Sequence, residues 1–303
     1  MVGENLSLPC SIIDLIPHQG KMSFDQNLIK AKTDDGESST IINAANIFLA
    51  DNNHLSNMVL IEYINQLNAA IQGYNGKYNQ KKPQKGLFVG LQEVEFLQPV
   101  HLGDLLTIKA FKTEEVAQVT FIQGIIYRAD ERIAALVTKL YEVKDSAEFD
   151  LLINQGQIPQ SKNELKLNNQ QPPVYLGSRM HRKLYTYLHD TIIGADFIAF
   201  TIACPDDFEA FDGHFPGNPI LPGVILLEIG QLALGLLLQQ AVIIKHLKKM
   251  KISGVVLPNQ DISGTIKIEP ENGPLRSFSA IFKDREAREI SRYSGYCNEG
   301  KEA

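Results

Sequence analysis

Phe211-Asp-Gly-His214-Phe-Pro-Gly-Asn-Pro-Ile-Leu-Pro222-Gly-Val-Ile-Leu-Leu-Glu228-Ile-Gly-Gln231 joins a loop dense in Gly and Pro to an apolar helix. Pro222 suits the first helical turn, where its missing N–H would have no partner anyway. From Gly223 to Leu238 only Glu228 and Gln231 interrupt the apolar residues, so the helix is expected to be buried on all sides. A carboxylate there must find partners or have its pKa raised. A membrane span does not fit, because Glu, Gln, Gly and Pro break the run and a charge at mid-bilayer costs about 3 kcal/mol.

The element Gly213-His214-Phe215-Pro216-Gly217-x-Pro219-x-x-Pro222-Gly223-Val224, with Glu228 fourteen positions after His214, resembles the 3-hydroxyacyl-(acyl carrier protein) dehydratases of fatty acid synthesis. That resemblance implies the hot dog fold, a curved antiparallel sheet around one long helix, and an overall α+β class. A second resemblance lies at the start of the chain, where Pro17-His18-Gln-Gly20-Lys-Met22 is similar to the opening Pro-His-x-Gly-x-Met of aryl polyene thioester dehydratases. A His in such a segment is expected to be a hydrogen-bonded structural residue.

Bulk properties agree with two domains. The chain has 303 residues, 44% hydrophobic and 21% charged, with a formal charge of −6, so no nucleic-acid surface follows from net charge. Cys10, Cys204 and Cys297 are odd in number and far apart, as in a reducing compartment. The N-terminus lacks a basic start and an apolar core, so export is not expected and the reading is cytoplasmic. The seven His are scattered without ligand spacing, so no metal is expected.

The first half carries its own version of the helix. Leu28 to Ala31 and Ser39 to Ile42 read as a hairpin around Thr33-Asp-Asp-Gly36. Ser56 or Asn57 then caps a helix to about Tyr74, stopped by Gly73 and Gly76. Glu62 and Gln66 lie on it as Glu228 and Gln231 lie on the second helix. Each helix precedes a Pro-bearing strand, Val94 to Pro99 or Ile252 to Pro258, followed by Leu105 to Phe111 or Gly264 to Glu269. Val119 to Tyr127 and Ile133 to Val143 close one half, Ser277 to Phe282 and Ile290 to Cys297 the other. Polar, Pro-bearing Gln155 to Pro173 reads as a linker. The expected organisation is a double hot dog: residues 1–150, a linker over 151–175, and residues 176–303.

Hot dog proteins of this family pair through their sheets, so a tandem chain is expected to form an intramolecular pseudo-dimer, with further homo-oligomers possible. The resemblance implies a site that joins His214 of one half to Glu62 of the other. Glu62 is preferred to Glu228 as catalytic acid because Gln66 follows it by the family's four-residue spacing, whereas Gln231 follows Glu228 by three. The reciprocal site lacks the Phe-Pro-Gly element and offers only His54, so it is expected to be degenerate, with Glu228 relict or structural.

The implied reaction is dehydration of a 3-hydroxyacyl thioester to the trans-2-enoyl thioester, with His214 as base at C2 and Glu62 as acid at the C3 hydroxyl. The N–H of Gly223, at a helix start, is placed to stabilise the carbonyl, and Phe215 and Pro222 are implied with it as substrate-binding residues. No cofactor is implied beyond the phosphopantetheine arm of an acyl carrier protein. That acidic partner could meet Lys245 to Lys251 with Arg182 and Lys183, or the lysines could be a solvated helix end. A hot dog thioesterase and a non-catalytic carrier-protein-binding subunit are the alternatives.

Overall fold

The computed structural model describes residues 7–78, 85–156, 166–176, 178–269 and 275–299. The first half contains β1 (Cys10–Ser11), β2 (Asn27–Ala31), β3 (Asp35–Ile41), β4 (His54–Leu55), α1 (Val59–Tyr78), β5 (Lys85–Phe96), β6 (Val100–His101), β7 (Leu105–Val116), β8 (Val119–Arg128) and β9 (Glu131–Val143). After α2 (Ser146–Gly156) and α3 (Arg179–Tyr187), the second half adds β10 (Leu188–Ile193), β11 (Phe197–Ile202), α4 (Gly223–Leu238), β12 (Val242–Ile252), β13 (Ile262–Ile268), β14 (Arg276–Lys283) and β15 (Glu289–Glu299). All strands except the β4–β6 pair join one antiparallel sheet, in the order β1-β2-β3-β7-β8-β9-β5-β12-β15-β14-β13-β11-β10.

The two halves meet at the middle of that sheet. β5 and β12 run antiparallel, with Leu91 opposite Met250 and Glu95 opposite His246. α1 packs on β2, β3, β7, β8 and β9, α4 packs on β11, β12 and β13, and the two helices touch each other. This is the double hot dog: two curved sheet halves, each around its own helix, fused edge to edge into a pseudo-dimer. Both helices are cores in their own right. In α4 the side chains from Val224 to Gly230 are buried, and in α1 Val59, Leu60, Ile61 and Ile64 are fully so. Each large aliphatic side chain withdrawn from water contributes about 1.5–3 kcal/mol.

Several elements differ from the sequence reading. Lys245 to Lys251 is not a helix end but part of β12, hydrogen-bonded on both sides. Bulges between Ile244 and His246 and between Leu247 and Lys249 break its alternation, which is why the run did not read as a strand. Correspondingly, Pro99 and Pro258 lie beyond the strands, which end at Phe96 and Ile252. Residues 151–156 of the expected 151–175 linker belong to α2, 166–175 form neither helix nor strand, and 157–165 lie outside the described residues. The sequence reading found neither α2, α3 nor the hairpin β10–β11.

α1 also continues past its expected stop. Gly73 is helical, and a Cβ there would stand 2.0 Å from the Leu15 carbonyl oxygen, so this glycine lets the opening segment lie against the helix backbone. In a free helix Gly→Ala stabilises by about 1 kcal/mol. Gly73→Ala is expected to do the reverse and lower stability by about 1–3 kcal/mol through overpacking, which thermal unfolding measures; an increase in Tm would refute the close approach.

Candidate active site

Two loops from opposite halves are fastened to each other before any catalytic side chain is considered. Gln66, fully buried on α1, donates from Nε2 to the Met22 carbonyl at 2.7 Å and accepts from the Phe24 N–H at 3.0 Å, which ties the opening segment to the first helix. From that segment the Gln19 N–H donates to the Gly213 carbonyl at 3.1 Å. Gly213 has φ +84°, and a Cβ there would lie 1.9 Å from the Gln19 carbonyl oxygen, so the motif loop touches the opening segment backbone to backbone. Lys21 pairs with Glu209 at 3.0 Å across the same junction, but the pair is exposed and worth at most about 1 kcal/mol.

This junction places three side chains together. His18 comes from the opening segment, Glu62 from the first turn of α1 and His214 from the motif loop, and they are only 6%, 3% and 8% exposed. His18 Nε2 lies 3.4 Å from Glu62 Oε1, and the His18 and His214 rings are 5.3 Å apart. One nitrogen of each imidazole and one carboxylate oxygen all lie within 4.8 Å of one another. Such residue types also ligate divalent ions, and among the described residues this is the one cluster of three. Sequence spacing could not reveal it, because the three are separated by most of the chain.

Hydrogen bonds set the roles these groups can take. His214 Nδ1 faces the Ile220 carbonyl at 2.9 Å. A carbonyl only accepts, so Nδ1 carries the proton and Nε2 keeps its lone pair. Burial pushes the His214 imidazole down to about 4, opposed by its backbone hydrogen bonds. His18 is also held well below the usual imidazole range, first by burial and then by His214. Glu62 moves the other way: burial pushes its carboxyl up to about 7, although hydrogen bonds from Gln66 and Asn65 favour the charged form. Gln66 Nε2 lies 3.1 Å from Glu62 Oε1. A neutral base thus faces a carboxyl that is largely protonated below neutrality.

The motif loop is braced further. Phe215 stacks on the His214 ring at 4.5 Å and meets Phe149 of α2 edge-on at 5.9 Å. Gly223 opens α4, but a Cβ there would meet Phe88 and Ile252, so protein side chains fill the space next to it. Pro222 is the N-cap residue of that helix.

The pseudo-symmetric position in the other half is built from different residues. Glu228, fully buried, accepts a hydrogen bond from Ser56 Oγ and lies 2.9 Å from His181 Nε2. Ser56, just before α1, therefore meets the acid of the opposite half as His214 does, and His181 of α3 corresponds to His18. His54 takes no part: it lies in β4, with its ring 5.4 Å from that of His101. Gln231 Oε1 accepts from the Ile244 N–H at 3.4 Å and leaves Glu228 to Ser56 and His181. The sequence reading named Ser56 only as a candidate helix cap and did not single out His181, because their meeting with Glu228 depends on contacts across the fold.

Comparison with known proteins matches both halves. The ApeP dehydratase model matches residues 10–150 and the ApeI dehydratase model residues 193–291. The first half is thus similar to the ApeP dehydratases and the second half to the ApeI dehydratases, which supports a tandem hot dog dehydratase. The curated relative 3-hydroxyacyl-[acyl-carrier-protein] dehydratase FabZ of Haemophilus influenzae is 32% identical over 79 residues, 23% of this chain and 53% of that protein. The chain thus spans about half the length of the curated relatives it matches. Among solved structures, a putative oleoyl thioesterase from Lactobacillus plantarum superposes with a TM-score of 0.59 at 9% identity, covering 89% of this chain and 98% of that one. The dehydratase domain of RzxB from Pseudomonas fluorescens gives 0.52 at 13%, covering 87% and 94%. These two likenesses concern the fold. Among the described residues, no helix is long and apolar enough to cross a membrane.

The Gln66 amide favours the Glu62 carboxylate, so its removal is expected to raise the Glu62 pKa further. In a carboxyl-carbon NMR titration Glu62 should titrate near 7 in the native chain and at higher pH in Gln66→Leu. A midpoint near an ordinary glutamate would contradict the burial.

Proposed function

We propose that the chain dehydrates a 3-hydroxyacyl thioester to the trans-2-enoyl thioester at a single site built by both halves. The observation that carries this reading is the unprotonated Nε2 of His214 beside the buried, raised-pKa carboxyl of Glu62. The similarity of the two halves to ApeP and ApeI dehydratases and the likeness to FabZ support it.

His214 Nε2 removes the C2 proton, and the C2–H electron pair becomes the C2=C3 double bond. The C3–O bond breaks toward oxygen, and the hydroxyl leaves as water with the proton of Glu62. The thioester carbonyl gains negative charge as the C2 proton departs. Gly223 supplies one of the first N–H groups of α4, which have no partner within the helix, and it serves as donor to that oxygen. Phe215 and Pro222 shape the acyl site. No step needs a cofactor; the thioester is carried by an acyl carrier protein through its phosphopantetheine arm, and an acyl carrier protein is the carrier for which the similar FabZ is named.

The reciprocal centre has Ser56 where the working centre has His214. The Ser56 hydroxyl, which donates to Glu228, is no base near neutral pH, and His181 stands in the place of His18 and not of His214, so Glu228 is assigned a structural role.

Formation of the conjugated enoyl thioester, followed by absorbance on a short 3-hydroxyacyl thioester, tests the reading. His214→Ala and Glu62→Gln are expected to lower turnover by about 10²–10⁴ each, with Glu228→Gln remaining close to the native rate. Loss of turnover in Glu228→Gln alone would move the acid to the second half, and release of free thiol would identify a thioesterase. Activity requires neutral His214 and protonated Glu62. It should therefore fall below about 4 and above about 7, and a kcat/KM profile that rises through pH 7 would reverse these roles.

A further inference from the structure

The scheme above uses two of the three clustered side chains, and His18 remains. It is 6% exposed, with one nitrogen 3.4 Å from Glu62 and its ring 5.3 Å from that of His214. Its other nitrogen, Nδ1, is buried with no hydrogen-bond partner among the described residues. Leaving a buried polar atom unpaired costs about 1–3 kcal/mol, yet the segment is held in place by Gln66 and by Gly213. A purely structural histidine would be expected to satisfy both nitrogens. The second half repeats the pairing, with His181 on Glu228 at 2.9 Å. A histidine from the opening part of each half thus accompanies the buried glutamate of that half.

The dehydration leaves the site in the wrong protonation state for another turnover. His214 has gained the C2 proton and become an imidazolium, and Glu62 has lost its proton to the departing water and become a carboxylate. No net proton enters or leaves, so one proton must pass from His214 to Glu62. In the proposed reaction C2 and C3 of the acyl group occupy the space between base and acid, so the direct path is blocked while they are bound. Both groups are also nearly closed to bulk water.

We propose that His18 is the relay that returns this proton from His214 to Glu62, an inference that rests on the dehydratase reading. A neutral imidazole can accept a proton at one nitrogen while it donates from the other. His18 Nε2 donates to the Glu62 carboxylate, and its free Nδ1 takes up the proton of His214, with the product water bridging the remaining gap. The transfer ends with neutral His214, neutral His18 and protonated Glu62, which is the starting state. The depressed pKa of His18 is consistent with this role, because a resting imidazolium would block uptake. His18 touches no reacting carbon, so it is a positioning and relay residue and not a second base.

The relay acts after the chemical step, which separates it from a structural pin. Rapid mixing with enzyme in excess measures the first turnover, and substrate in excess measures the later ones. His18→Gln is expected to slow later turnovers by about a hundredfold, within the range of acid–base effects, while slowing the first turnover far less. His18→Asn should behave alike, and free imidazole added to His18→Gly should restore the later turnovers. Equal losses in both regimes, no loss in either, or failure of imidazole to restore a folded His18→Gly would overturn the relay. If these variants unfold, His18 is a structural pin and the relay is likewise overturned. A native chain that forms no enoyl product would instead overturn the dehydratase reading itself.

Discussion

A carboxyl group inside the apolar core is the constraint to which the site answers. Glu62 is 3% exposed on a helix surrounded by Ile61, Ile64 and the strands that pack on it. Without water the charged form is disfavoured, and the surroundings must supply polar partners or accept a neutral carboxyl. Gln66 and Asn65 supply part of the compensation, and the raised pKa is the remainder. The same Gln66 side chain fastens Met22 and Phe24 to the helix. One amide therefore positions both the acid and the segment that brings His18 to it.

The fusion of two hot dogs through β5 and β12 gives this arrangement its asymmetry. A pseudo-dimer offers two equivalent positions where a motif loop of one half faces the helix of the other. In one, His214 faces Glu62 with His18 beside them; in the other, Ser56 and His181 meet Glu228. Two copies of one chain would have to be identical at both positions. A tandem chain is free of that requirement, so one centre can hold an imidazole where the other holds a serine whose bond to Glu228 joins the halves.

What was legible in the sequence followed from local chemistry. The loop from Gly213 to Pro222 and the unbroken apolar run of α4 could be read directly, because Pro at a helix start and an all-apolar helix have local causes. The repeat of Glu62 with Gln66 against Glu228 with Gln231 gave the tandem arrangement. The lysines of β12 misled because two bulges hide the alternation of that strand. Gly73 misled for a different reason: it resembles a helix stop in isolation, yet it is a contact point for Leu15 within a longer helix. His54 attracted notice as the only histidine near the first helix, but its strand carries it to His101.

The residue types available for acid–base chemistry and the two buried helices were thus set by sequence, since hydrophobic pattern and turn chemistry act over a few residues, whereas the pairing of Glu62 with His214 was implied only by the family resemblance. The inclusion of His18, the pairing of Ser56 and His181 with Glu228, and the opposite pKa shifts of His214 and Glu62 were decided by tertiary structure. They depend on which distant segments are pressed together and on how completely water is removed, and neither quantity is written in the spacing of residues along the chain.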